Sequence, residues 1–348
     1  MTSNNDAFFW KKKEYISFIL SILVFFIHSY FANDIPDESL ISLVNHKTSY
    51  FFSRSVTQFA VPMFFMLAGL TFYKGYSSEK YPAKIKSRIL TLVIPYLVWN
   101  TVWMLWEIIG SCLESSFALG ISDILKGIFF YGFNQPFWFM FNLIVFSFTA
   151  PLIFLIIKNK YVSFSVIAAL SLLSAFGIHL PSSVFYNPTS VIFYLIGATA
   201  GYHYFDLISQ KSCKTTQLLS VIFLSLYILA KNIVPQELHI NNYLVQVIVF
   251  TMCSFALWHT ADIFIERLKP RAVYKRSFAV YAMHLNIAIV ILKILSVILP
   301  HNPYMEIPKF VIMVVVTLTI INFVCAFLER YLPKLNGFLF GKHIKQSK

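Results

Sequence analysis

The chain has 348 residues, 58% of them hydrophobic and only 12% charged, with a formal net charge of +13. A soluble domain carries about a quarter charged residues and has no interior for so much apolar surface, so an ordinary soluble globular protein is excluded. The positive charge sits in short segments between apolar runs, so no basic stripe on a soluble fold exists and no nucleic-acid partner is expected.

A bilayer as solvent leaves two options for the backbone, helices or a closed barrel. The apolar runs are continuous rather than alternating, which selects helices. The expected fold is all-α, a polytopic transmembrane bundle of about ten spans. In chain order they are 15–32, 55–73, 89–112, 137–157, 161–179, 189–205, 216–234, 241–262, 277–299 and 308–328. Each is close to the ~20 residues that cross a hydrocarbon core.

Charge orients the bundle. With the N-terminus placed in the cytoplasm, 22 of the 28 Lys and Arg fall on cytoplasmic segments, and Lys47, Arg54, Lys126, Lys231 and Lys309 fall outside. The excess alternates at every loop, as the positive-inside rule requires, so both termini are expected in the cytoplasm. The two largest outer loops are 33–54 and 113–136. No room remains for a soluble domain, so 1–348 reads as one membrane domain with a short basic tail at 329–348. Lys11-Lys12-Lys13 precede the first run without a small-residue cleavage site, so that run is expected to stay as a span. Cys112, Cys213, Cys253 and Cys325 have no metal-ligand spacing and read as reduced packing residues.

Ionisable groups at membrane depth are costly and mark candidate sites. His28 is expected in the outer half of the first span; the alternative is a histidine hydrogen-bonded between helices or at the interface. Glu107 is expected at a similar depth in the third span, with Trp103 and Trp106 beside it, where a carboxylate could orient an imidazole and raise its basicity. The alternative is an interfacial glutamate in an aromatic belt. Arg54 and Gln58 open the second span; Arg54 could clamp developing negative charge or snorkel to the membrane edge. Asn142 and Asn100 are expected to face the bundle. Lys84, Lys86 and Arg88 cluster at the mouth of the third span, where cations suit an anionic ligand or simply obey the charge rule. His284 lies in the ninth span and reads first as a helix–helix hydrogen bond.

Five stretches, in order on these spans, resemble the acyltransferase 3 family of polytopic enzymes that O-acylate surface glycans. They are Leu23-Val24-Phe25-Phe26-Ile27-His28; Val61-Pro62-Met63-Phe64-Phe65-Met66-Leu67-Ala68-Gly69-Leu70; Arg88-Ile89-Leu90 with Ile94-Pro95-Tyr96-Leu97-Val98-Trp99; Phe137-Trp138-Phe139 through Ala150-Pro151-Leu152-Ile153; and Ser277-Phe278-Ala279-Val280-Tyr281-Ala282-Met283-His284. Two positions depart from the family pattern. Ser17 stands where a basic residue is usual, with Lys13 the nearest cation, and Ala68 stands where Ser is usual.

The resemblance implies transfer of an acyl group, acetyl first, from cytoplasmic acyl-CoA to a hydroxyl of a polysaccharide or lipid-linked glycan, in a bacterial inner membrane. Acetyl-CoA would be a co-substrate, with no permanently bound cofactor and no metal. His28 would act as general base or acyl carrier, with Glu107 and Arg54 in the catalytic set. Lys84, Lys86, Arg88 and Lys13 would receive the donor phosphates. Gln58, Asn142 and Trp138 would face the acceptor. Membrane lipids are expected partners, and a homo-oligomer is left open. Two other classes remain: a glycan-precursor transporter or flippase, for which no repeated halves are visible, and a non-catalytic subunit of a polysaccharide export complex, which would fit Ser17.

Overall fold

The structure, a computed structural model, describes residues 2–31, 39–113, 120–178, 188–234 and 242–341. Every described regular element is a helix. The chain divides into two compact units, Met1–Leu67 with Tyr204–Val324 and Ala68–His203 with Cys325–Lys348.

The first unit is built on α1 (Thr2–Ile27), which packs along α14 (Ser277–Ile298). Phe25 of α1, Ala288 and Leu295 of α14, and Phe310 and Met313 of α15 (Glu306–Tyr331) share one buried core, which Phe26, Phe31 and Phe52 extend. After α2 (Leu40–Tyr50) the helix widens into a π-helical turn at Phe51–Ser55 before α3 (Ala60–Tyr73). Ser53 and Thr57 donate their hydroxyls back to the carbonyls four residues earlier, at Ser49 and Ser53. Such back-bonding competes with the helical ladder and loosens it locally. The Asn45 amide donates to the Pro303 carbonyl and fixes α2 to the 3₁₀ turn before α15. α12 (Lys214–Ile233) and α13 (Tyr243–Thr260) pair along their length, and Ser55 joins them by donating to Asn232.

The second unit begins inside α3. It contains α4 (Tyr81–Arg88), a second π-helical turn at Ile89–Val93, α5 (Ile94–Leu113) and α6 (Ile121–Phe129). It continues with α7 (Trp138–Phe148), α8 (Ala150–Ile157), α9 (Lys160–Ala175) and α10 (Pro188–His203), and ends with α16 (Pro333–Phe340). Gly69 of α3 and Gly201 of α10 have no room for a Cβ, because the Tyr194 and Leu70 backbones lie against them. Small residues let membrane helices approach backbone to backbone. Large apolar side chains such as Leu218, Leu226, Phe164 and Phe323 face outward, which suits lipid rather than water.

Each of the ten apolar segments carries a helix among the described residues, yet fewer qualify as complete spans. Among the described residues six runs are long and apolar enough: Leu40–Tyr73, Ser78–Gly110, Lys214–Ile233, Tyr243–Ile263, Ala272–Ile298 and Pro303–Tyr331. The pair Gln135–Phe148 and Ala150–Ile157, bent by 72°, makes a seventh if it crosses as one. Pro151 sits in the first turn of α8, where its ring and missing N–H break the ladder from α7. In α1 the apolar stretch between Glu14 and Ile27 is short of the roughly 20 residues a span needs, and α9 and α10 have 16 each. On length and apolarity, six or seven of the expected ten thus qualify among the described residues.

Candidate active site

α1 ends at Ile27, and His28 and Ser29 turn on backbone bonds to Phe25 and Phe26. His28 therefore sits just past the helix end, exposed, with a ring no helical ladder holds. Across the α1–α14 contact lies His284, wholly buried. The two imidazoles are 5.6 Å apart between ring centres, tilted by 39°. Phe25 and Tyr281 flank the His284 ring at 5.5 Å and 6.4 Å.

His284 Nδ1 lies 3.0 Å from the Val280 carbonyl and 2.9 Å from the Tyr281 carbonyl. A carbonyl only accepts, so Nδ1 carries a proton. In the neutral ring Nε2 is then a bare acceptor, and among the described residues it has no hydrogen-bond partner. An orphaned acceptor in an apolar surround is costly and calls for an explanation. The expected helix–helix bond does not form among the described residues: Nδ1 bonds its own helix, and Nε2 is left without a partner in a ring that lies beside His28. The signal that could have raised its rank is the eight-residue Ser277–His284 stretch, which ends on it.

Arg54 belongs to the same unit, on the π-helical turn, exposed and near enough for its charge to act on His28. π-Helical turns recur at functional sites because they re-aim a side chain against the ladder. Gln58, four residues on, is half-buried. His28 and His284 thus form an imidazole pair in the first unit, with the Arg54 charge acting on His28.

The remaining expected residues are distributed otherwise. Glu107 is exposed on α5, in the second unit. Asn142 is buried, donating to the Trp138 carbonyl at 2.8 Å and accepting from the Ser190 hydroxyl at 2.9 Å, so its amide joins α7 to α10. Trp138 is half-buried at the start of α7. Lys84 donates to the Phe72 carbonyl at 2.6 Å and lies 5.4 Å over the Phe72 ring, which caps the end of α3. Arg88 stacks on the same ring from 5.4 Å, while Lys86 is exposed. Lys13 is half-buried. Its neighbour Lys12 is wholly buried, 2.6 Å from Asp262, with its ammonium 4.3 Å over the Trp258 ring. Lys12 precedes the apolar stretch of α1; burial pushes its ammonium down to about 8, against the pull of the Asp262 carboxylate. Ser212 adds two donors to Asp262, at 3.0 and 2.7 Å.

Cys213, Cys253 and Cys325 are free thiols, and the Cys112 side chain lies outside the described residues. Among the described residues no three His, Cys, Asp or Glu gather as a metal site.

A family model described as an acyltransferase domain matches residues 14–324, nearly the whole chain. No curated protein and no solved structure matches it.

Proposed function

The chain belongs to the acyltransferase 3 family and is a multi-pass membrane acyltransferase; from that premise we propose that it moves an acetyl group from acyl-CoA to a glycan hydroxyl, with His28 as the base. The donor is cytoplasmic, the acceptor a cell-surface or envelope glycan across the bacterial inner membrane. Both termini are cytoplasmic, which follows from the charge asymmetry. Helices too short or too polar to qualify alone then cross as parts of a ten-helix frame.

The observation that carries this reading is His28 at the end of α1, beside buried His284 and within reach of the Arg54 charge. A sugar hydroxyl is a weak nucleophile at neutral pH. An imidazole nitrogen of His28 takes its proton as the oxygen attacks the thioester carbonyl. The tetrahedral intermediate carries an oxyanion, and the Arg54 guanidinium supplies positive charge to it. The intermediate collapses with cleavage of the carbon–sulfur bond. The CoA thiolate leaves, the acyl ester remains on the glycan, and the proton on His28 returns to the thiolate or to solvent. His284 Nε2, an acceptor without a donor, can hold a His28 N–H and set which nitrogen faces the hydroxyl. Gln58, one turn from Arg54, is the acceptor contact on this side.

Purified protein supplied with radiolabelled acetyl-CoA and a glycan acceptor tests the reading. Label should pass to the glycan and CoA thiol should appear in step, and both should vanish in His28→Ala. Equal turnover in that variant removes His28 as the base. Glycan movement into proteoliposomes without acyl transfer would favour a transporter.

A further inference from the structure

Beyond the His28 cluster, the first unit holds a narrow crevice between the start of α1 and the connection from α13 to α14. Lys11, Lys269, Arg271 and Lys275 line it, against Glu14 as its one lining carboxylate. Tyr15 and Tyr274 meet edge to face at its wall, 5.2 Å between ring centres. Ile265 and Leu268 close its floor.

Neighbouring cations show what is unusual here. Lys12 is paired with Asp262, Lys211 with Glu266 at 2.6 Å, and Arg276 with the Asn322 side chain. The side chains of Lys11, Lys269, Arg271 and Lys275 have no ion pair or hydrogen bond among the described residues. Lys269, Arg271 and Lys275 are exposed as well. Charge retained only for topology has no need to converge on one crevice from two distant stretches of chain. Cations that converge beside aromatic rings match a phosphate joined to a planar base.

We propose that Lys11, Lys269, Arg271 and Lys275, with the Tyr15–Tyr274 pair, form a phosphate-recognition site that receives the nucleotide end of the acyl donor. The assignment rests on the acyl-CoA reading above. α1 joins this crevice to the catalytic histidine: from Tyr15 to Ile27 it rises about 18 Å at 1.5 Å per residue. The extended pantetheine arm spans that interval and brings the thioester towards His28. Lys84 and Arg88, engaged with α3, are then helix anchors rather than donor ligands.

The phosphate could also come from an anionic lipid headgroup, and one experiment separates the two sources. Full-length protein in phosphatidylcholine nanodiscs is titrated with coenzyme A. The same protein is titrated with phosphatidylglycerol vesicles. Wild type should bind coenzyme A, with affinity falling as salt rises. The triple variant Lys269→Gln, Arg271→Gln, Lys275→Gln should bind at least tenfold more weakly, with an unchanged thermal midpoint. Arg271→Gln alone should weaken binding about threefold to tenfold and stands in if the triple variant does not fold. Phosphatidylglycerol binding that is lost in the variant, without any coenzyme A binding, upholds the phosphate site and transfers it to lipid. Equal coenzyme A affinity in wild type and variants overturns the proposal, most sharply if Lys86→Gln is the change that abolishes binding. Coenzyme A binding that survives while no glycan is acylated leaves the crevice standing and removes the acceptor reading instead.

Discussion

In the first unit one buried imidazole keeps unused bonding capacity: among the described residues His284 Nε2 has no partner, and the exposed His28 ring lies beside it. In the second unit the residues expected in a site are closed between helices, and the buried atoms left without a partner among the described residues, such as Asn100 Oδ1 and Tyr76 Oη, have no imidazole beside them in that unit's bonded pairs. The Asn142 amide bridges Trp138 and Ser190, and Lys84 caps α3. A polar residue in a lipid-facing fold is costly until bonded, so both arrangements need a reason. Closed pairs explain themselves by packing. An open one beside a second imidazole is explained by chemistry. The contrast teaches that residue type nominates a site, and that unspent hydrogen-bonding capacity singles one out only where a second imidazole lies beside it.

The largest test of this contrast is His28→Ala. Loss of a positioned general base should lower acyl transfer by at least about 100-fold while the thermal midpoint of the detergent-solubilised protein stays put. A change of less than tenfold would place the base elsewhere. Next is the buried pair of Lys12 and Asp262. Lys12→Ala leaves an uncompensated carboxylate and should cost about 3–5 kcal/mol in thermal or denaturant unfolding. Lys12→Met with Asp262→Leu should recover most of it, because packing replaces a desolvated ion pair. Failure of that rescue would mean the pair does more than hold α1 against α13.

Gly201→Val sharpens the second-unit side. A side chain there must displace the Leu70 backbone, so stability should fall by about 1–3 kcal/mol, read as a lower thermal midpoint. His284→Phe keeps the ring volume and removes Nε2. Turnover should drop about tenfold, one hydrogen bond's worth, and the pH–rate profile assigned to His28 should move. A drop without any change in the profile would reduce His284 to packing. The smallest effect belongs to Asn142→Ala, roughly 0.6–1.7 kcal/mol of stability with acyl transfer within twofold of wild type. A tenfold loss of transfer there would break the comparison, by placing an acceptor contact in the second unit.

How much of this was legible in advance varies with the range of the interaction. All ten apolar segments carry helices among the described residues, since hydrophobic runs and backbone bonding are local. The number of clean spans was not legible. It depends on where α1 ends at Ile27 and on the 72° bend at Ala150, which a count of apolar residues passes over. His28 and Arg54 were nominated by depth and charge. The nearness of His284 was not, because it requires α1 and α14 to pack. Cations are the sharpest failure. Lys12, Lys84 and Lys269 are alike in sequence, yet one is buried on a carboxylate, one caps a helix and one lines an open crevice.

Composition and charge order alone therefore determined a helical membrane protein and its apolar segments, because solvation of side chains and backbone acts residue by residue; the resemblance to an acyltransferase family came from five motif stretches. Tertiary structure alone decided which polar groups were consumed and which were left available. That choice is made by partners such as Asp262 for Lys12 and the Val280 and Tyr281 carbonyls for His284, whose distance and direction exist only once the helices have packed.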